Sequence, residues 1–330
     1  MFAEHPDWFP LVNGRRGVFG QLCVSSPGVV ERFADVAKAS FRDDSGLRFF
    51  SLFPNDTGSG WCECDACKAL DTAEVDWDKN GEECADLTDR WLYFINKVAA
   101  LVAERYPDRI MATFAYGSTR ETPRRTLPRS NVMIELTWWD QCFKHQMMDP
   151  GCEINAKGMR RFRDWSRLAP LALYRYLDYH HMESPQPFFH AEADILRAAH
   201  AGGCRHLSDE WDTTLTASPL FLNLRARLEW DVDTDVDAFI DDFCGIVYGK
   251  AGGQVARYFR RLERAVAEVA AEHVQFNCTE RFSPEVLAEC HEVLGMAEAS
   301  ADDDTVLARI DRLRYSLLMA ELDNVTAAAQ

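Results

Sequence analysis

Long apolar runs are missing from this 330-residue sequence. Nowhere do the ~18 consecutive apolar residues of a membrane-spanning helix occur. The opening MFAEHPDWFPLVNGRRG has no apolar stretch of the kind a secretory signal carries. Positive charge is scarce: 36 Lys and Arg stand against 53 Asp and Glu, a net charge of −17. Such a chain repels phosphate backbones and anionic membranes, so neither a nucleic-acid nor a membrane partner is expected. A Walker loop and a dinucleotide fingerprint are both absent, as are low-complexity tracts and repeats of solenoid period. Eleven cysteines are many, but apart from those around Cys62 they are scattered. That argues against a disulfide scaffold and leans toward a reducing compartment, with the localisation itself left open.

Apolar residues are abundant at 47%, enough for a sizeable core in one large domain or two ordinary ones. Their patterning alternates between strand and helix. Strands are predicted over residues 18–24, 48–53, 110–115, 132–136, 171–177 and 204–207. Between them, Ser26-Pro27 reads as an N-cap with proline in the first turn, leading a helical stripe of Val29, Val30, Phe33, Val36 and Ala37. Leu87, Trp91, Phe94, Ile95, Val98, Leu101 and Val102 recur at helical spacing, and further helices are expected over 156–168 and 189–201. Such alternation implies a parallel sheet. From about 217 strands stop, and helices are predicted over 217–229, 235–247, 252–274, 283–298 and 303–326. The expected architecture is α/β: a (β/α) TIM-type barrel over residues 1–215, incomplete on its N-terminal side, then an α-helical subdomain over 216–330. Five strands after the opening one fall short of eight. An upstream domain, missing strands or an oligomer partner is expected to cover the open edge.

Cys62, Cys64 and Cys67 lie within six residues, with Cys84 as a fourth candidate. Thiolates at this spacing suit a structural zinc, although a disulfide or free buried thiols fit the same spacing. No catalytic cofactor is called for. His180-His181 could ligate a metal or simply be polar. Asp231, Asp233, Asp235 and Asp237 mimic a calcium loop, but Val236 occupies the glycine position and Asp242 the glutamate position. The run reads instead as the acidic start of a helix.

His5-Pro6-Asp7-Trp8-Phe9, then Gln21-Leu22-Cys23, then Pro54-Asn55-Asp56 with the Cys62, Cys64 and Cys67 spacing, resemble the domain-of-unknown-function 4838 family. Leu228-Glu229-Trp230-Asp231, Val236-Asp237 and Tyr248-Gly249 extend the resemblance through nearly the whole chain. That family is similar to bacterial glycoside hydrolases with a (β/α)8 barrel. Its relatives include glycoside hydrolase family 163, endo-β-N-acetylglucosaminidases acting on N-glycans, and more distantly α-glucuronidases. Relatives are often exported, and in them another domain and the first barrel strands precede the His5 motif. This chain departs in having Thr57 and Ser59 where a run of glycines is expected.

The resemblance implies a hydrolase acting on, or binding, a glycan that contains N-acetylglucosamine. The alternative is a non-catalytic carbohydrate-binding remnant. Hydrolysis needs a proton donor at the leaving oxygen and a second group at the anomeric carbon: a carboxylate, or the substrate's own acetamido oxygen. Asp56, on the loop after the 48–53 strand, is the first candidate, as acid or acetamido-orienting group, with Asn55 as its neighbour. The same pair could merely shape a turn. Glu210 is the expected catalytic partner, beside Asp209 and Trp211, though both acids could equally serve a helix start. Glu135, inside a strand, points either into the barrel or at a helix, and if buried needs a partner. Tyr116, Trp138, Trp139, Tyr176, Tyr179 and Trp211 at strand exits suit stacking on sugar rings, or ordinary packing. Asp140 and Asp178 could bond sugar hydroxyls, or equally be solvated loop residues.

Overall fold

Period-two alternation, hairpin chemistry and amphipathic spacing can be followed element by element in the computed structural model. It describes residues 1–56, 59–72, 86–139, 141–176, 183–210, 219–275 and 282–328. The chain forms two compact units interleaved in sequence. The first comprises Met1–Trp138, Arg160–Tyr174 and Gly203–Ser208; the second comprises Trp139–Met159, Arg175–Gly202 and Asp209–Gln330.

The first unit opens with a hairpin of β1 (Leu11–Val12) and β2 (Arg15–Arg16). Asn13 and Gly14 turn it, both at positive φ, as a two-residue hairpin with right-handed strand twist requires. The predicted strand at 18–24 does not form. Its backbone is committed elsewhere: Gln21 N–H donates to the Gly60 carbonyl at 2.9 Å and Cys23 N–H to the Trp8 carbonyl at 2.8 Å. Gly20, at φ +109°, breaks the extended path. Helix α1 (Pro27–Asp43) buries Val29, Val30, Ala34, Ala37 and Phe41. Ser26 sits at its N-cap, but the hydroxyl donates to Asp7 at 3.3 Å instead of capping the helix.

A five-stranded sheet follows, in the order β3 (Phe49–Ser51), β4 (Ile110–Ala115), β5 (Val132–Thr137), β6 (Leu171–Tyr176), β7 (His206–Glu210). Pairing from β3 through β6 is parallel. The last strand starts later than predicted, so Asp209 and Glu210 lie within it rather than beyond it. A short helix, α2 (Asp65–Lys68), precedes α3 (Thr88–Ala103). Helix α3 covers one face of the sheet, where Trp91 Nε1 donates to Thr113 Oγ1 at 2.7 Å. On the other face Ala112, Met133 and Ala172 pack with Phe49 and Ile110. Phe49 of the first strand meets His206 of the last, ring centroids 5.3 Å apart. The sheet is therefore curled into a half-barrel, with the Phe49 face concave.

Helix α4 (Glu153–Ser166) leads into β6. The second unit holds α5 (Phe189–Ala201), α6 (Pro219–Trp230), α7 (Val236–Tyr248), α8 (Gly252–Glu268), α9 (Pro284–Ser300) and α10 (Asp304–Ala328). They share one apolar core that includes Leu224, Leu228, Ile240, Tyr258, Leu262, Leu294 and Leu317. Asp235 caps α7, its carboxylate accepting from Ala238 N–H at 3.0 Å, so the acidic run is a helix start. Helix α8 stops at Glu268, short of the predicted 274. The carbonyls of Val269 and Ala271 are taken by Lys144 Nζ, and that of Val274 by Phe143 N–H. No helix among the described residues is long and apolar enough to cross a membrane.

Candidate functional site

Register decides which side chains enter the hollow of the sheet. Phe114 pairs with Glu135, and Glu135 with Ala172. Because paired residues share a face and residues two apart along a strand share it too, Glu135 lies on the concave side with Met133 and Thr137. Above the small layer of Ala112, Met133 and Ala172 lies an aromatic one. Phe53 stacks on Phe114 at 3.8 Å, and Tyr174 meets Phe114 edge-on at 4.9 Å. Glu135 is half-buried beside these rings, and burial pushes its carboxyl above the ordinary glutamate value. It has no hydrogen-bond or ion-pair partner among the described residues. A carboxyl whose value is raised by burial, next to aromatic rings, is a candidate for proton exchange with a ligand.

Asp56 follows β3 on a turn fastened to the segment before α1. Asn55 N–H donates to Gln21 Oε1 at 2.7 Å, and Asn55 Nδ2 to the Gly20 carbonyl at 2.8 Å. Gly20 and Gly60 close against each other so tightly that a Cβ on Gly20 would lie 2.3 Å from the Gly60 oxygen. Asn55 is thus part of the loop's fastening, and Asp56 is left exposed.

The cysteines gather just beyond. Cys23, Cys62, Cys64 and Cys67 bring four sulfurs within 4.8 Å of one another. Cys23 Sγ lies 3.7 Å from both Cys64 Sγ and Cys67 Sγ. In a zinc tetrahedron with bonds of 2.3 Å, sulfurs stand about 3.8 Å apart. The residues therefore fit a tetrahedral metal. Hydrogen bonds from the Cys62 and Cys67 thiols hold Cys23 far below the usual thiol value, while the same bonds push Cys62 and Cys67 up. The scaffold around them is polar and specific. Arg90, fully buried, donates to the Cys62 carbonyl at 2.9 Å and grips Asp71 with two nitrogens. Leu11 N–H donates to Cys62 Sγ at 3.3 Å.

The sequence model of a family described as a domain of unknown function, DUF4838, matches residues 1–260, well over half of the chain. The chain belongs to the DUF4838 family. No curated protein matches it.

In this DUF4838 chain the structure sorts the remaining candidates. Glu210 closes β7, exposed, in the second unit. Its neighbour Asp209 turns the other way, held by Arg225 Nη2 at 2.6 Å and Nε at 3.1 Å. Trp138 is buried and stacked on Phe162 at 5.4 Å, which makes it a packing residue. Trp139 and Tyr176 remain half-buried and meet edge-on at 5.1 Å. Tyr116, half-buried, precedes the short 3-10 turn Gly117–Thr119. Asp140, Asp178, Tyr179, His180, His181, Trp211, Thr57 and Cys84 lie outside the described residues. Of the predicted zinc ligands, Cys62, Cys64 and Cys67 do come together, and among the described residues the sulfur that joins them is that of Cys23. Phe53, Phe114 and Tyr174 were not singled out by sequence reasoning. The signal that could have found them is their in-phase position with Glu135 on neighbouring strands.

Proposed function

We propose that this DUF4838 chain hydrolyses a glycan containing N-acetylglucosamine on the concave face of its curled sheet, as the wall of a (β/α) barrel of glycoside hydrolase type. Glu135 is the proton donor. The observation that carries the reading is a half-buried carboxyl, raised by burial, set without a partner among the described residues and beside the rings of Phe53, Phe114 and Tyr174. Rings of this kind stack on the apolar C–H faces of sugars. Glu135 protonates the leaving glycosidic oxygen as the bond to the anomeric carbon breaks. The substrate's acetamido oxygen attacks that carbon and forms a cyclic intermediate, so one enzyme carboxyl suffices for the step. The Glu135 carboxylate then takes a proton from the water that opens the ring. Asp56 serves as the acetamido-orienting group. The four cysteines hold a structural zinc. Four protein ligands leave no open position, so the metal takes no part in the chemistry.

The test is hydrolysis of N-glycans and aryl N-acetylglucosaminides by the full chain. Wild type is expected to turn over, Glu135→Gln to lose about 10²–10⁴-fold, and Asp56→Asn to lose less. Unchanged turnover in Glu135→Gln removes the assignment. A second reading, glycan binding without cleavage, is favoured by one observation: among the described strand residues of the first unit, Glu135 is the single carboxylate on the concave face. Measured glycan binding with no product supports that reading. Neither binding nor product overturns both.

A further inference from the structure

The geometry points to a second metal site, distinct from the four-cysteine cluster and contained in the second unit: Cys142, His145, Cys152 and His273 form a Cys2His2 centre for zinc. Their donor atoms all lie within 4.8 Å of one another. Cys142 Sγ is 3.3 Å from His145 Nδ1, and Cys152 Sγ is 3.7 Å from His273 Nδ1. A tetrahedral zinc with bonds of 2.3 Å to sulfur and about 2.05 Å to nitrogen sets that edge at about 3.6 Å, between the two. Both sulfurs are buried, both rings are part-buried, and the imidazoles meet at 5.5 Å and 75°, so neither blocks the other's approach to a shared centre. Two thiolates with two imidazoles in a tetrahedron select zinc among the common divalent ions.

The surroundings are built to present these ligands. Asn155 is fully buried on the first turns of α4. Its Oδ1 accepts from Cys142 N–H at 2.8 Å, and its Nδ2 faces the carbonyls of Cys142, His145 and Gln146 at 3.1–3.2 Å. One side chain therefore fixes the turn that carries two ligands, as outer partners do around metal sites. The fourth ligand comes from far along the chain: Cys152 and His273 are 121 residues apart. The two segments are already docked by Phe143 N–H on the Val274 carbonyl at 2.8 Å and by Lys144 Nζ on Val269 and Ala271 at 2.7 and 2.9 Å. A metal here closes a long loop and clamps the stretch after α8 to the stretch before α4. With four protein ligands the site is closed, and its role is to hold the second unit together.

The experiment counts zinc in the full chain after stripping and reconstitution. Wild type is expected to bind two equivalents. Cys23→Ser with Cys67→Ser, and separately Cys152→Ser with His273→Ala, are each expected to bind one. With cobalt in place of zinc, the second variant loses about a third of the thiolate-to-metal band, since two of six thiolates belong to this site. A readout on the unmutated chain guards against misfolding of the variants. Alkylation mapped by peptide mass should find Cys142 and Cys152 protected when zinc is present and reactive after chelation. Equal reactivity of both thiols with and without zinc, or their recovery as a disulfide, overturns the site. These outcomes are independent of whether the concave face cleaves glycans.

Discussion

Glu135 and Glu192 are both glutamates drawn out of water, and their treatment could hardly differ more. Glu192 is buried in the second unit between two arginines: it accepts from Arg175 at 2.8 Å with one oxygen and from Arg225 with the other. Arg225 in turn holds Asp209 and reaches Glu229 at 3.0 Å. Every charge in that knot has an opposite neighbour, which is what lets ions persist in a low-dielectric interior. Glu135 has no such neighbour among the described residues, and its carboxyl responds by rising above its ordinary value. A paired acid is scaffolding. An acid with no partner among the described residues, beside aromatic rings, is a candidate for contact with a ligand.

That contrast can be broken most forcefully at Glu135, where Glu135→Gln should cost about 10²–10⁴-fold in turnover while the fold persists, read by steady-state kinetics alongside circular dichroism. Glu192→Ala should do the reverse. It strands two guanidiniums, and denaturant unfolding should record a loss of about 3–5 kcal/mol with no selective change in chemistry. Asp89 tests an intermediate case. Burial raises it, but bonds from Thr72 and from the backbone of Arg124, Thr126 and Arg125 outweigh that and bring its value down. Its stabilisation is therefore present above the unfolded carboxylate value and lost as pH falls through the folded one. Asp89→Asn should cost about 2 kcal/mol at neutral pH and little at the acid end of a stability–pH series. The smallest effect has the opposite sign. With its folded value raised, Glu135 opposes folding once pH exceeds the unfolded value, so Glu135→Gln should be slightly more stable than wild type at pH 7 and indistinguishable at pH 4.

Much of the architecture was legible because it rests on periodicity. Trp91, Phe94, Ile95 and Val98 announce α3, and the strands at 110–115 and 132–136 appear within a residue or so of β4 and β5. The Asn13-Gly14 turn is equally written in the chain, whereas the apolar content of 18–24 favours a strand that hydrogen bonds to Trp8 and Gly60 override. The site was less legible because it depends on register and on distant partners. Alternation alone leaves Glu135 facing either side of a strand; only pairing with Phe114 and Ala172 settles it. Cys23 stands 39 residues before Cys62 and His273 stands 121 after Cys152, so no local spacing could group them with their clusters.

The mutual approach of Gly20 and Gly60 carries an evolutionary corollary. Each fills the space where the other's methyl would sit, so a chain that keeps the Asp56 turn in this position must keep both glycines. Homologues should therefore retain or exchange the two as a couple, and a lone alanine at either place marks a member whose acidic turn has been re-routed.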